Sequence, residues 1–243
     1  TAKSLHAAWA NSAAMRLGGV DANTDDPPGG HILRDASGHP TGIFLEIADR
    51  LISKVIPKRS RDEILLAILK AQESLLEMGI TSVHDFDPLD RLEYYRELEA
   101  AGKLHLRILK SIPPDDHGTA LASGASSGFG EGLIHIGAYK FFMDGALGPH
   151  TAAMIDPYQD DANNTGILIH DADDVVRRSQ PIVATGSDIS IHAIGDRANQ
   201  EAIEAFRLLR QQEKSRQQKK SCFRIEHVQL LSPMNLMDFK KIG

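Results

Sequence analysis

The chain has 243 residues, 42% of them hydrophobic and 25% charged, which is the composition of an ordinary folded protein able to bury a sizeable core. A net charge of −6 argues against nucleic acid or an anionic membrane surface as the main partner. The single cysteine, Cys222, excludes an intramolecular disulfide, and no stretch approaches the roughly twenty apolar residues that span a bilayer.

Residues 1–50 read as an irregular lid or insertion segment and not as a separate domain. Two turn clusters, Asp25-Asp26-Pro27-Pro28-Gly29-Gly30 and Asp35 through Gly42, bracket Ile32-Leu33. With Ile43-Phe44-Leu45 this pair predicts a short hairpin. The chain opens at Thr1 without an initiator methionine or a signal peptide. The expectation is an excerpt of a longer protein, with a reducing cytoplasm as its compartment.

Residues 51–243 read as one α/β region. Ser60 and Glu63 form a capping-box pattern ahead of Leu65, Ile68, Leu69, Leu75 and Leu76 at helical spacing, and Gly79 closes that helix. A strand follows over Ile80–Asp85, then a helix near Asp90–Ala101 and a strand over Leu104–Ile112. After a Gly-rich stretch come the strand Leu133–Met143 and a long loop. A helix starts near Asp171, with Pro181 expected to kink or end it. The strand Asp188–Ile194, a helix over Arg197–Gln212, the strand Cys222–Val228 and a helix after Pro233 complete the order. Cys222 is expected to be a buried small hydrophobe, and the basic run Arg207–Lys220 a solvated helix end.

Five strands alternating with helices predict parallel βα units, in an open sheet or a (β/α)8 barrel. Five strands cannot close an eight-stranded barrel, so the barrel reading again makes the chain an excerpt. Gly124, Gly128, Gly130 and Gly132 do not read as a phosphate cradle, because they precede a strand and open no helix. Ser12 and Ser82 show no His/Asp partners for nucleophilic catalysis. Asp85 reads as a cap for the turn that follows it.

His192 and His227 fall at the C-terminal ends of consecutive strands, the edge where α/β folds carry chemistry. Each alone reads as a packed histidine; matching placement makes them candidate metal ligands. Lys140 lies within Tyr139, Phe141, Phe142 and Met143, where an unpaired ammonium is costly. Either Asp144 or Asp196 neutralises it, or burial lowers its pKa and the neutral amine reacts. Reaction with carbon dioxide gives a carbamate, a carboxylate able to bridge two metal ions.

The chain resembles the amidohydrolase superfamily, and most closely its amidohydrolase-3 branch. The motifs are His6-Ala7-Ala8-Trp9-Ala10-Asn11-Ser12, Asp26 through Gly30, Gly42 through Glu46 and Gly79 through Asp85. Further on are Lys140 with Asp144-Gly145, Thr151-Ala152-Ala153, His192 through Asn199 and Arg224-Ile225-Glu226-His227. The resemblance implies strands two to six of an incomplete TIM-type barrel. It implies that Lys140 is the metal-bridging, carboxylated lysine, that His192 and His227 are metal ligands, and that Trp9, Asn11 and Asp144 meet the substrate. It further implies a divalent metal, zinc first, as one or two ions, and hydrolysis of a small molecule at a non-peptide C–N bond by hydroxide generated at the metal. Ester or phosphoester hydrolysis is the rival activity, and a silent binding module the rival of another class.

The departures from the family pattern are as informative. No His-x-His pair is present, His150 stands where relatives often have Arg, and the aspartate that shuttles the proton is expected beyond Gly243. Little activity is therefore expected from these residues alone, and cut sheet edges are expected to favour association of copies.

Overall fold

A computed structural model of the chain describes residue 2, residues 5–216 and residues 221–242. The elements run β1 (Ala7–Trp9), α1 (Ser12–Gly18), β2 (Gly30–Arg34), β3 (Pro40–Glu46), α2 (Arg50–Ser53) and α3 (Arg61–Glu77). Then come β4 (Ser82–Asp85), α4 (Arg91–Ala100), β5 (Arg107–Ile112), α5 (His117–Ala122), β6 (Gly130–Glu131) and β7 (Ile134–Phe142). The last are α6 (Ala172–Ala184), β8 (Ile189–Ala193), α7 (Asp196–Arg216), β9 (Phe223–His227) and α8 (Leu236–Ile242).

The five expected strands pair in parallel in the order β4-β5-β7-β8-β9 and curl into a half barrel. The Gly-rich stretch before β7 folds back on it as β6, antiparallel. Gly130 there has φ +146°, and a Cβ would lie 2.3 Å from the Ile134 carbonyl oxygen, so only glycine fits. The Ser60–Glu63 capping box starts α3, with both reciprocal hydrogen bonds present.

Alternation along the strands sorts side chains between two faces. Tyr139 and Phe141 of β7 and Ile189, Ile191 and Ala193 of β8 pack with Val175, Ile182, Ala198, Ala202, Phe206 and Leu209 of α6 and α7. Each fully buried aliphatic side chain of this core contributes roughly 1.5–3 kcal/mol. The intervening Lys140, Phe142, Ser190 and His192 occupy the opposite, inner face.

Several expectations need correction. Pro181 lies inside α6 and does not end it. Val175, Val176, Ile182 and Val183 bury one face of that helix, and this packing outweighs the roughly 3 kcal/mol cost of an internal proline. The first 50 residues are not irregular: β1-β3-β2 form an antiparallel sheet of their own. It has a separate small core of Ala10, Val20, Ile32, Phe44, Ala48 and Ile52. The β2–β3 hairpin matches expectation, whereas β1 is too short for alternation to reveal it.

Cys222 precedes β9 and is exposed, not buried. Arg210 and Glu213, read as part of a solvated helix end, are buried. Arg210 Nη1 lies 2.6 Å from Glu213 and donates to the Ser221 carbonyl at 2.8 Å, with its guanidinium 4.0 Å from the Phe223 ring centroid. Residues 217–220 of the same basic run lie outside the described residues. Among the described residues no helix is long and apolar enough to cross a membrane.

Candidate metal-centred active site

Strand register builds the site. Phe142 is paired with His192, His192 with Glu226, and Ala193 with His227 across β7, β8 and β9. Pairing with Ala193 alone would set His227 on the outer face, but its φ of 79° breaks the alternation there, and its ring centroid lies 4.6 Å from that of His192 with the planes at 69°. The Phe142 ring lies 5.4 Å from His192, and Lys140 Nζ lies 5.1 Å from the Phe142 centroid. Lys140, His192 and His227 thus share one neighbourhood on the inner face.

His192 Nε2 lies 2.8 Å from the Gly145 carbonyl oxygen. A carbonyl only accepts, so Nε2 carries the hydrogen and Nδ1 carries the lone pair. Burial pushes the His192 pKa down to about 3, and the neighbouring His6, His227 and Lys140 press in the same direction. His192 is therefore a neutral imidazole with a fixed tautomer at neutral pH, the form that binds metals. Burial also lowers His227, helped by Lys140. His227 and Val228 take φ of 79° and 48°, so the chain turns sharply at the end of β9. A β-branched residue in that region is an outlier, and such strain of about 1–3 kcal/mol gathers at functional sites.

Lys140 is 2% exposed. Neither Asp144 nor Asp196 neutralises it; its ammonium is ion-paired with Glu226, which Arg224 also holds at 2.8 Å. The partner comes from two strands away because β9 places Glu226 on the inner face, while Asp144 turns into the loop beyond β7. Burial lowers the Lys140 pKa against the pull of Glu226. Burial alone raises Glu226, but Lys140 and Arg224 outweigh it and leave that carboxyl lowered.

Asp144, expected to meet substrate, is fully buried. Its carboxylate accepts from the backbone amides of Ile194 at 3.0 Å, Gly195 at 2.8 Å and Ala153 at 2.9 Å. It ties the loop after β7 to the loop after β8 and so sets the site's wall. Burial raises its pKa to about 6 despite those amides. Trp9 is 83% exposed, and the Asn11 side chain caps α1 by accepting from the Ala14 amide at 2.9 Å. Neither lines the cavity that holds the histidines. His150 stacks on Tyr158 at 4.5 Å and does not line that cavity either.

The cavity has a volume of about 800 Å³, and its lining includes His6, Glu46, Phe86, Phe142, His192 and His227. Sequence reasoning quoted the motifs containing His6, Glu46 and Thr151 without assigning them a site role. The structure joins all three. His6 Nδ1 lies 2.9 Å from Glu46 Oε2, Thr151 Oγ1 donates to Glu46 Oε1 at 2.6 Å, and the His6 ring centroid is 5.0 Å from that of His192.

Two neutral imidazoles beside an amine of lowered pKa are a donor set suited to zinc, which takes nitrogen, sulfur or oxygen ligands in fourfold coordination. Among the described residues no group of three or more His, Cys, Asp or Glu side chains is arranged to hold an ion. The residues present therefore fit one part of a metal site.

A family model described as "Amidohydrolase family" matches residues 1–243. The protein LONG AFTER FAR-RED 3 of Arabidopsis thaliana is 31% identical over 241 residues, 94% of this chain and 41% of that protein. N-substituted formamide deformylase of Arthrobacter pascens is 29% identical over 237 residues, 92% of this chain and 42% of that enzyme. A metal-dependent hydrolase from Pyrococcus horikoshii superposes with a TM-score of 0.74 at 28% identity, covering 98% of this chain and 45% of that structure. The chain spans 39 to 45% of the length of the curated relatives it matches.

Proposed function

The chain belongs to the amidohydrolase family, and from that premise we propose that it supplies part of the catalytic centre of a metal-dependent hydrolase of non-peptide C–N bonds. The observation that carries this reading is the pair of neutral imidazoles, His192 and His227, 4.6 Å apart in one cavity, with buried Lys140 next to the Phe142 ring that lines it. Amides, formamides and cyclic amides are the proposed substrate class. The formamide-cleaving relative supports that class.

In this reading His192 holds the metal through Nδ1 and His227 through a ring nitrogen. Lys140 would contribute as a carbamate: its ammonium gives up one proton, the neutral amine adds to carbon dioxide and loses a second, and the ion pair with Glu226 is exchanged for an anionic oxygen donor. A bound divalent ion, zinc first, supplies a lowered water pKa and a polarised substrate carbonyl. Phe86 and Phe142 give the cavity an apolar wall against which an organic substituent can lie. Asp144 keeps the His192 loop in place through its three amides. We place the remaining ligands and the proton donor outside these 243 residues, and the protein in the cytoplasm.

The test is hydrolysis of an N-substituted formamide and its matched formate ester by a longer, zinc-loaded protein that carries this segment. Formate released from the amide, and lost in His227→Ala, supports the proposal. Cleavage of the ester alone supports the rival esterase, and no cleavage of either contradicts hydrolysis.

A further inference from the structure

Lys110 is fully buried on β5 and takes no part in the chemistry above. Alternation puts it with Ile108 and Ile112 on the helix-facing side of the sheet, where a charged side chain is costly unless it is paired. Its Nζ lies 2.9 Å from Oδ2 of Asp85, the register partner on β4, and donates to the Asp87 backbone carbonyl just beyond that strand. Asp85 Oδ1 in turn accepts from the Asp87 amide at 3.1 Å. Two residues further on, the Leu89 amide donates to Asp116 Oδ2 at 2.7 Å, in the turn that follows β5. Side chains of the β5 unit thus pin the loop after β4 at Asp87 and at Leu89, and Leu89 packs on the main core.

Phe86 is the residue held between the end of β4 and these fixed points. It is 43% exposed and lines the cavity that holds His192 and His227. Its ring meets that of Phe142 edge-on, with centroids 5.9 Å apart at 66°. A ring this exposed draws less of its position from packing, so the backbone on either side sets it. Two rings at a steep angle form a corner that receives a third, offset-stacked on one and edge-to-face on the other. We propose that Lys110 and Asp116 are positioning residues for Phe86, and that the corner they maintain selects substrates whose amide nitrogen carries an aromatic substituent. Lys110 acts from the outer face through the loop and touches no substrate. The inference rests on the reading of this cavity as an amide-hydrolysing site.

The test reads binding without metal or turnover, so its outcome stands apart from that of the hydrolysis test. N-benzylformamide and N-methylformamide are titrated into wild type, Phe86→Ala, Lys110→Met, Asp116→Ala and the two double variants that combine an anchor substitution with Phe86→Ala. Wild type is expected to prefer the benzyl probe. Phe86→Ala should reduce that preference roughly two- to tenfold, the scale of one aromatic pair. Each anchor substitution should reduce it by up to the same factor. With Phe86 already removed, neither should reduce it further, an outcome that a general loosening of the fold would not give. A thermal melt shows that each variant is folded; should Lys110→Met not fold, Asp116→Ala decides. No preference for the benzyl probe in wild type, an unchanged preference in a folded anchor variant, or a further loss in the double variants each overturns the inference.

Discussion

Arg224 Nη2 lies 3.4 Å from His84 Nδ1, joining β9 to β4, the two edge strands of the parallel sheet. Side chains from opposite edges meet because the sheet curls, and the curl gives Lys140, Phe142 and His192 a shared interior. Among the described residues the outer edges of β4 and β9 pair with no further strand. Unpaired edge amides and carbonyls seek partners, so the chain should self-associate with rising concentration in sedimentation experiments. A single monomeric species at every concentration would contradict this.

Stability should fall on mild acidification. Burial lowers His192 to about 3 and His117 to about 4, against an ordinary 6.5. Below about pH 6.5 the unfolded chain binds protons that the folded one excludes, so this stability is present above 6.5 and lost towards those lower values. Each group contributes up to about 1.4 kcal/mol per pH unit between its two values. Asp144, raised to about 6 by burial, acts in the opposite direction between 3.8 and 6 and offsets part of the slope. Urea titrations at several pH values should show a shallower slope in His117→Phe, whose ring can keep the contacts to Tyr139 and Phe141. An unchanged slope would remove His117 from the account.

Asp144→Ala should destabilise the fold by at least about 3 kcal/mol, since it leaves three backbone amides without their acceptor at about 1–3 kcal/mol each. Asp144→Asn should cost less, because its one oxygen still satisfies part of the set. Denaturant midpoints measure both, and an alanine variant as stable as wild type would show that the loops hold without Asp144.

The strand sequence made the parallel order of the sheet and the convergence of His192 with His227 legible, because strand-end position is a local property. What escaped was set by register and by long-range folding. Lys140 has Asp144 close in sequence, yet β9 delivers Glu226 to it. Asp144 carries a motif's signature, but its chemistry is spent on amides. His6 reaches His192 only because β1 pairs with β3 and carries the N-terminal segment over the barrel mouth, and β1 is too short to show a hydropathy pattern.

If Lys140 forms a carbamate, protein loaded with zinc and ¹³C-bicarbonate should show a carbamate carbon resonance that is absent from Lys140→Arg. Glu226→Gln should strengthen it, by removing the carboxylate that holds the ammonium form. A signal of equal intensity in Lys140→Arg would place the label elsewhere.

The central claim is that His192 and His227 together hold the metal. X-ray absorption of the zinc-loaded protein tests it most directly. Two imidazole nitrogens at about 2.0–2.1 Å are expected, with lighter oxygen or nitrogen donors completing the shell, and one imidazole fewer in either His192→Ala or His227→Ala. An imidazole count that neither substitution changes would contradict the account.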